Sequence, residues 1–257
     1  MADETNYPRT DFADLVTKAV ELAPPTIVAA RPGFNVADRE MREIDLRPAL
    51  PETLKVYTLS ALVNLLQSNS LAAGVAVTDC ALHVIGPKRV ELISRSTDEY
   101  GRRKVIAMAD VPPVNEFPFD QFKDSETFIL NALALLSETP DREYVIGLAQ
   151  ALVSGETVTT RDDGVSQSTI IQKGASLKQS VTVRNRCQLA PFHTFREVTQ
   201  PTSEFVFRLK QDNDKKPCLA LFQSDGGAWR LAAMTNIANY LQSALTAASV
   251  TGVSIIC

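Results

Sequence analysis

Between Gly155 and Trp229 the chain alternates turn-forming clusters with short runs of strand-forming residues, and this alternation constrains the fold more than any other feature. Aspartate and glycine recur where the backbone must reverse: Asp162-Asp163-Gly164, Lys173-Gly174, Asp212 to Lys216, and Asp225-Gly226-Gly227. Glycine tolerates positive φ and aspartate bonds the backbone two residues on, so such clusters mark turns. The intervening segments Thr157 to Thr160, Val165 to Gln172, Gln179 to Arg186, Glu204 to Gln211 and Cys218 to Gln223 read as strands. Turns this short join antiparallel neighbours. Trp229 to Leu245 then reads as a helix with an apolar stripe (Leu231, Met234, Ile237, Ala238, Leu241, Leu245), and Val250 to Ile256 as a closing strand.

The expected class is α+β: a central β-meander with buried helices, followed by a mainly antiparallel sheet capped by a C-terminal helix. Three regions are expected. Residues 1–55 form an N-terminal helix and extended arm, 56–154 a central meander with helices, and 155–257 an antiparallel β-rich region with its capping helix. In the first, Asp11 to Leu22 is amphipathic, Thr10 is a candidate N-cap, and Pro24-Pro25 stops the helix. The proline- and charge-rich remainder reads either as an arm packing on a neighbouring subunit or as a loosely ordered tail. In the second, Thr58 to Gln67 is a short helix, and Gly74 to Val84, Arg89 to Ser94 and Lys104 to Ala109 are strands. Phe117 to Phe122 (FPFDQF) is an aromatic loop. Ser125 to Ser137 is apolar almost all round, which predicts burial. Thr139-Pro140-Asp141 starts a helix: a capping hydroxyl, proline at the first position, and acid in the first turn. It runs to about Ser154, where Gly155 ends it.

Composition narrows the function classes. A net charge of -4 disfavours a duplex DNA binder, whose footprint is basic. Cys80, Cys187, Cys218 and Cys257 lie far apart with no CxxC pair, so they read as reduced thiols rather than as a zinc or redox motif. The polar, acidic N-terminus does not resemble a signal peptide. No apolar run approaches the ~18 residues of a membrane span. A cytoplasmic protein without a membrane partner is expected.

No GxSxG, Walker, HExxH or dinucleotide fingerprint is present. No catalytic residue, metal ligand or cofactor is therefore assigned. Asp162-Asp163 suits a divalent cation or a general base, but beside Gly164 it fits a hairpin turn better. His83 falls in a strand. His193 has a stronger claim, because it lies in the non-periodic segment Pro191 to Pro201 with Thr194, Arg196 and Glu197. Phe192 and Phe195 should anchor that segment. The candidate ligand-binding set is Arg184, Arg186, His193, Arg196 and Arg208. Two readings are open: the arginines converge on a phosphate or carboxylate, or they alternate outward as solvated strand residues.

The segments DDGVSQ (162–167), PFHTFREVTQP (191–201), FVFR (205–208) and DGGAW (225–229) resemble the C-terminal signature of the YfdQ-like family of phage and prophage proteins. TLSALVNLLQ (58–67) and FPFDQF (117–122) keep the order of that family, and the likeness covers about residues 55 to 245. The resemblance implies a phage or prophage origin and action in the bacterial cytoplasm. It carries no catalytic residues, and the N-terminal arm departs from it most. The favoured expectation is a non-enzymatic, self-assembling accessory protein, a homo-oligomer that binds a host protein or a small anionic ligand. One alternative is a shell-forming, capsid-like subunit, using the arm and the hairpin of residues 89–109. Another is single-stranded nucleic-acid binding or annealing in phage recombination, which the acidic charge and the 7% aromatic content disfavour.

Overall fold

A computed structural model of the chain describes residues 16–19, 27–31, 34–37, 43–45, 49–71, 75–153, 157–162, 167–173, 177–214 and 216–257. It divides into two compact units, Met1–Leu50 with Thr97–Arg102, and Pro51–Ser96 with Arg103–Cys257.

In the first unit residues 16–19 are helical, within the expected Asp11 to Leu22 helix. The segment expected to be an extended arm instead contains three short strands, β1 (Ile27–Arg31), β2 (Phe34–Ala37) and β3 (Glu43–Asp45). They form an antiparallel sheet in the order β1-β2-β3. Thr10, Pro24-Pro25, Gly155, Asp163-Gly164 and Gly174 lie outside the described residues.

The second unit holds three sheets. Five strands run in the order β15-β5-β6-β7-β4, where β4 is Leu54–Val56, β5 Cys80–Gly86, β6 Arg89–Thr97, β7 Arg103–Asp110 and β15 Ser254–Ile256. The meander β5-β6-β7 is the expected one, starting at Cys80 because Val77–Asp79 form a 3-10 turn. Both edge strands add in parallel, β4 to β7 and β15 to β5. One face is covered by α1 (Leu59–Gln67), which buries Leu59, Leu62, Val63 and Leu66.

A second sheet is wholly antiparallel: β12 (Arg186–Leu189), β13 (Ser203–Gln211), β14 (Pro217–Gln223) and β8 (Lys123–Asp124). Phe205, Phe207 and Leu209 alternate inward along β13, as a half-buried strand requires. They meet Phe128 and Ala132 from α2 (Ser125–Leu135), Leu136 just after it, and Val145, Ala149 and Leu152 from α3 (Pro140–Val153). The third sheet, β11-β10-β9, joins β9 (Thr157–Asp162), β10 (Gln167–Lys173) and β11 (Leu177–Val183) in antiparallel register.

The α+β class holds, and a C-terminal helix follows the strands. That helix, α4 (Trp229–Ala247), packs its buried face on the five-stranded sheet beside α1, sharing a core with it. Its buried stripe is Ala233, Ile237, Leu241 and Leu245, while Leu231 is 71% exposed, so the face is rotated from the expected one. Helix α2 is not buried all round either. Leu130 and Leu133, one turn apart, are 61% and 50% exposed. Its C-terminal carbonyls are closed by buried Arg142, whose Nε and Nη2 donate to the Ala132 and Leu133 oxygens at 3.2 and 3.1 Å. Helix α3 begins as its sequence dictates, the Thr139 hydroxyl accepting from the Arg142 amide at 3.1 Å.

Candidate binding cleft around His193

The segment after β12 crosses from one core to the other. Leu189 belongs to the core of the four-stranded sheet, and Phe195 and Val198 to that of the five-stranded sheet. Three polar side chains, Gln200, Thr194 and Glu197, hold the crossing. The buried Gln200 amide oxygen accepts from the His193 and Thr194 amides at 3.1 and 3.3 Å, and its nitrogen donates to the Phe195 and Val198 carbonyls. The Thr194 hydroxyl donates to the Pro87 carbonyl in the β5–β6 turn. Glu197 accepts from the Leu59 and Ser60 amides at 2.6 and 2.9 Å, closing the N-terminus of α1 alongside the Thr58 hydroxyl. Glu197 is thus a helix cap, and it also lines the smaller cavity described below. Glu197→Ala is expected to lower the unfolding free energy by about 1–3 kcal/mol, read as a lower urea midpoint, with Glu197→Gln recovering part of the loss. Equal midpoints for all three proteins would remove the capping role.

His193 is 8% exposed and stacks on Trp229, with ring centroids 4.2 Å apart and planes 18° from parallel. Phe119 of the aromatic loop approaches the imidazole from 5.7 Å. The His193 Nε2 is buried and has no hydrogen-bond partner among the described residues, an unusual state for a buried polar atom. Burial is the largest influence on the ring and pushes its pKa below the ordinary value. Lys88 and Arg230 act in the same sense, and Glu116 and Asp225 oppose them. The imidazole is therefore neutral at pH 7.

Trp229 is set by the turn before α4. Gly226 and Gly227 adopt φ of +62° and +84°, as the Asp-Gly-Gly sequence requires. Asp225 accepts from the Gly227 and Trp229 amides at 3.0 and 3.3 Å. Burial would raise the Asp225 pKa, but these bonds and neighbouring side chains hold it below the carboxylate norm. Asp225 thereby occupies the helix N-terminus, so any anion in the cleft must be held by side chains.

Two cavities flank His193. One of about 560 Å³ is lined by Gly86 to Arg89 of the β5–β6 turn, Asp110, Glu116, Gln223, Trp229 and Arg230. The other, about 260 Å³, is walled by Tyr57, Val111, Pro112, Val114, Phe192 and Phe195, with Arg196 at its edge. Lys88 and His193 line both. Lys88 pairs with Glu116, and its hydrogen bond is the main cause of a lowered Glu116 pKa. Arg89 pairs with Asp110 at 2.9 Å. Arg230 reaches toward the Trp229 ring at 5.6 Å, and Arg196 lies on Phe192. Neither guanidinium has a carboxylate partner among the described residues.

Of the sequence-derived set, only His193 and Arg196 line one cavity. Arg184 is exposed, pairs with Asp141 at 3.0 Å and lies over Tyr144. Arg186 pairs with Glu204 at 3.1 Å and is 72% exposed along its side chain. Arg208 stands on the face of β13 opposite Phe207 and lines neither cavity. These three do not converge with His193 in either cavity: Arg186 and Arg208 stand on β12 and β13, and Arg184 lies in the connection between β11 and β12. His83 sits in β5 opposite Glu91. The cleft residues missed in the sequence, Lys88, Arg89, Glu116, Trp229 and Arg230, come from turns and a helix start far apart in the chain.

Among the described residues no three His, Cys, Asp or Glu side chains gather to hold a metal ion, and no helix is long and apolar enough to cross a membrane. No family model matches the chain, and neither a curated protein nor a solved structure matches it. What fold and cleft define is an α+β protein with a cation-lined, aromatic-floored cleft between two hydrophobic cores.

Proposed function

We propose that this protein is a non-enzymatic, self-assembling binding protein of phage or prophage type that captures a small anionic molecule in the cleft around His193. One observation carries the ligand reading: His193, whose buried Nε2 has no hydrogen-bond partner among the described residues, lines two cavities edged by Lys88, Arg89, Arg196 and Arg230. A buried polar atom left unsatisfied costs stability, and a ligand that supplies its hydrogen bond recovers that cost. Arginines free of carboxylate partners suit phosphate or carboxylate groups. The phage assignment is supported by the resemblance of residues 162–167, 191–201, 205–208 and 225–229, and self-assembly by the exposed Leu130 and Leu133 on α2.

The test uses Trp229, the one tryptophan of the sequence. Titration with inorganic pyrophosphate is expected to change its emission saturably, and Arg230→Ala to weaken the response about 10-fold, as loss of a charged hydrogen bond does. No saturable change with pyrophosphate, phosphate or citrate would overturn the reading. Light scattering on the eluting protein tests self-assembly; a monomer at all concentrations would end that part.

A further inference from the structure

We infer that the ligand is an amphipathic acid, a flat apolar ring bearing one anionic group, with the ring in the smaller cavity and the acid in the larger. This rests on the anion-binding reading above and names the class of ligand.

The two cavities differ in chemistry and share a wall. The smaller exposes mostly apolar surface, from Tyr57, Val111, Pro112, Val114, Phe192 and Phe195, although Lys88, Arg196 and Glu197 also line it; Tyr57 and Val114 are 64% and 55% exposed. An apolar cavity of about 150 Å³ holds benzene, so 260 Å³ takes a six-membered ring with room for substituents. Plain phosphate would leave this space to water against apolar walls. The larger cavity carries the charge: Lys88 and Arg89 are matched by Glu116 and Asp110, and Arg230 supplies the excess positive charge. One net cation matches one acid group. Lys88 and His193 line both cavities, so a ligand spanning the two passes these side chains.

Isothermal titration of the full chain with phenyl phosphate, inorganic phosphate and phenol separates the possibilities. Phenyl phosphate is expected to bind at least ~10-fold more tightly than phosphate, from burial of the ring, and phenol to bind more weakly than phenyl phosphate. Val114→Asp places a carboxylate at the mouth of the apolar cavity on an exposed position that folding tolerates. It is expected to bring the ratio of phenyl phosphate to phosphate affinity close to one. Phenyl phosphate and phosphate binding equally to the unaltered protein would overturn the amphipathic ligand and leave the anion reading standing. Binding of neither would overturn the anion reading itself. A ratio unchanged in Val114→Asp would place the ring elsewhere and overturn the cavity assignment.

Discussion

Phe207→Ala is expected to lower the unfolding free energy by about 3–5 kcal/mol, the range for emptying a buried phenylalanine site. Phe207 is fully buried in β13, opposite Leu221 on β14, with its ring 5.9 Å from that of Phe128 on α2. It therefore touches both layers of the four-stranded core. Backbone hydrogen bonds on both sides of β13 keep the strand from collapsing into the vacated space. Val206 gives the comparison, since it is next in sequence and faces away from that core. Val206→Ala is expected to cost less than about 1.5 kcal/mol. Denaturant unfolding of both variants reads the difference, and similar losses would show that the face of β13 has been misassigned.

Acidification should act on His193 and be visible at Trp229. The folded-state pKa of His193 lies below its ordinary value of 6.5, chiefly through burial. The unfolded chain thus takes up this proton at higher pH than the folded one. Above 6.5 the group has no effect on stability. As pH falls below that, the unfolded state binds more protons and stability declines, levelling off once pH passes the folded value. A protonated imidazole stacked on the indole also quenches its emission. Wild-type fluorescence should show a titration step with a midpoint below 6.5 that is absent in His193→Phe and kept in His83→Gln. A step that survives His193→Phe would refute the assignment.

Local chemistry was readable in the sequence, and long-range pairing was not. Thr139-Pro140-Asp141 starts α3 and Asp225-Gly226-Gly227 turns the chain into α4 because each acts on backbone within four residues. The alternation in β13 was readable for the same reason. Glu197 was not, because the amides it closes lie 138 and 137 residues earlier. Periodicity placed the apolar stripe of α4 at Ile237, Leu241 and Leu245, which are buried, and at Met234, which packs against the same core, but it also included Leu231, which stays in solvent, and missed the buried Ala233. For the cleft, His193 and Arg196 stood out because their segment has no period. Lys88 and Arg230 did not, since a lysine in a turn and an arginine at a helix start look like ordinary solvated residues until the fold sets both beside His193.

The two cores are interleaved along the chain. The core of the five-stranded sheet draws on residues 59–109, on Phe195 and Val198, and on Ile237 to Leu245, whereas that of the four-stranded sheet lies between Phe117 and Leu221. Helix α4 therefore cannot reach α1 until more than a hundred residues between them have been gathered up. Loop closure over such a span is entropically costly and slows folding. Early collapse of the inner core shortens the span, because it draws residues 117 and 221 together and leaves only short tethers to the outer one. This interleaving favours an order of assembly in which the four-stranded layer forms first and the cleft around His193 is completed when α4 docks.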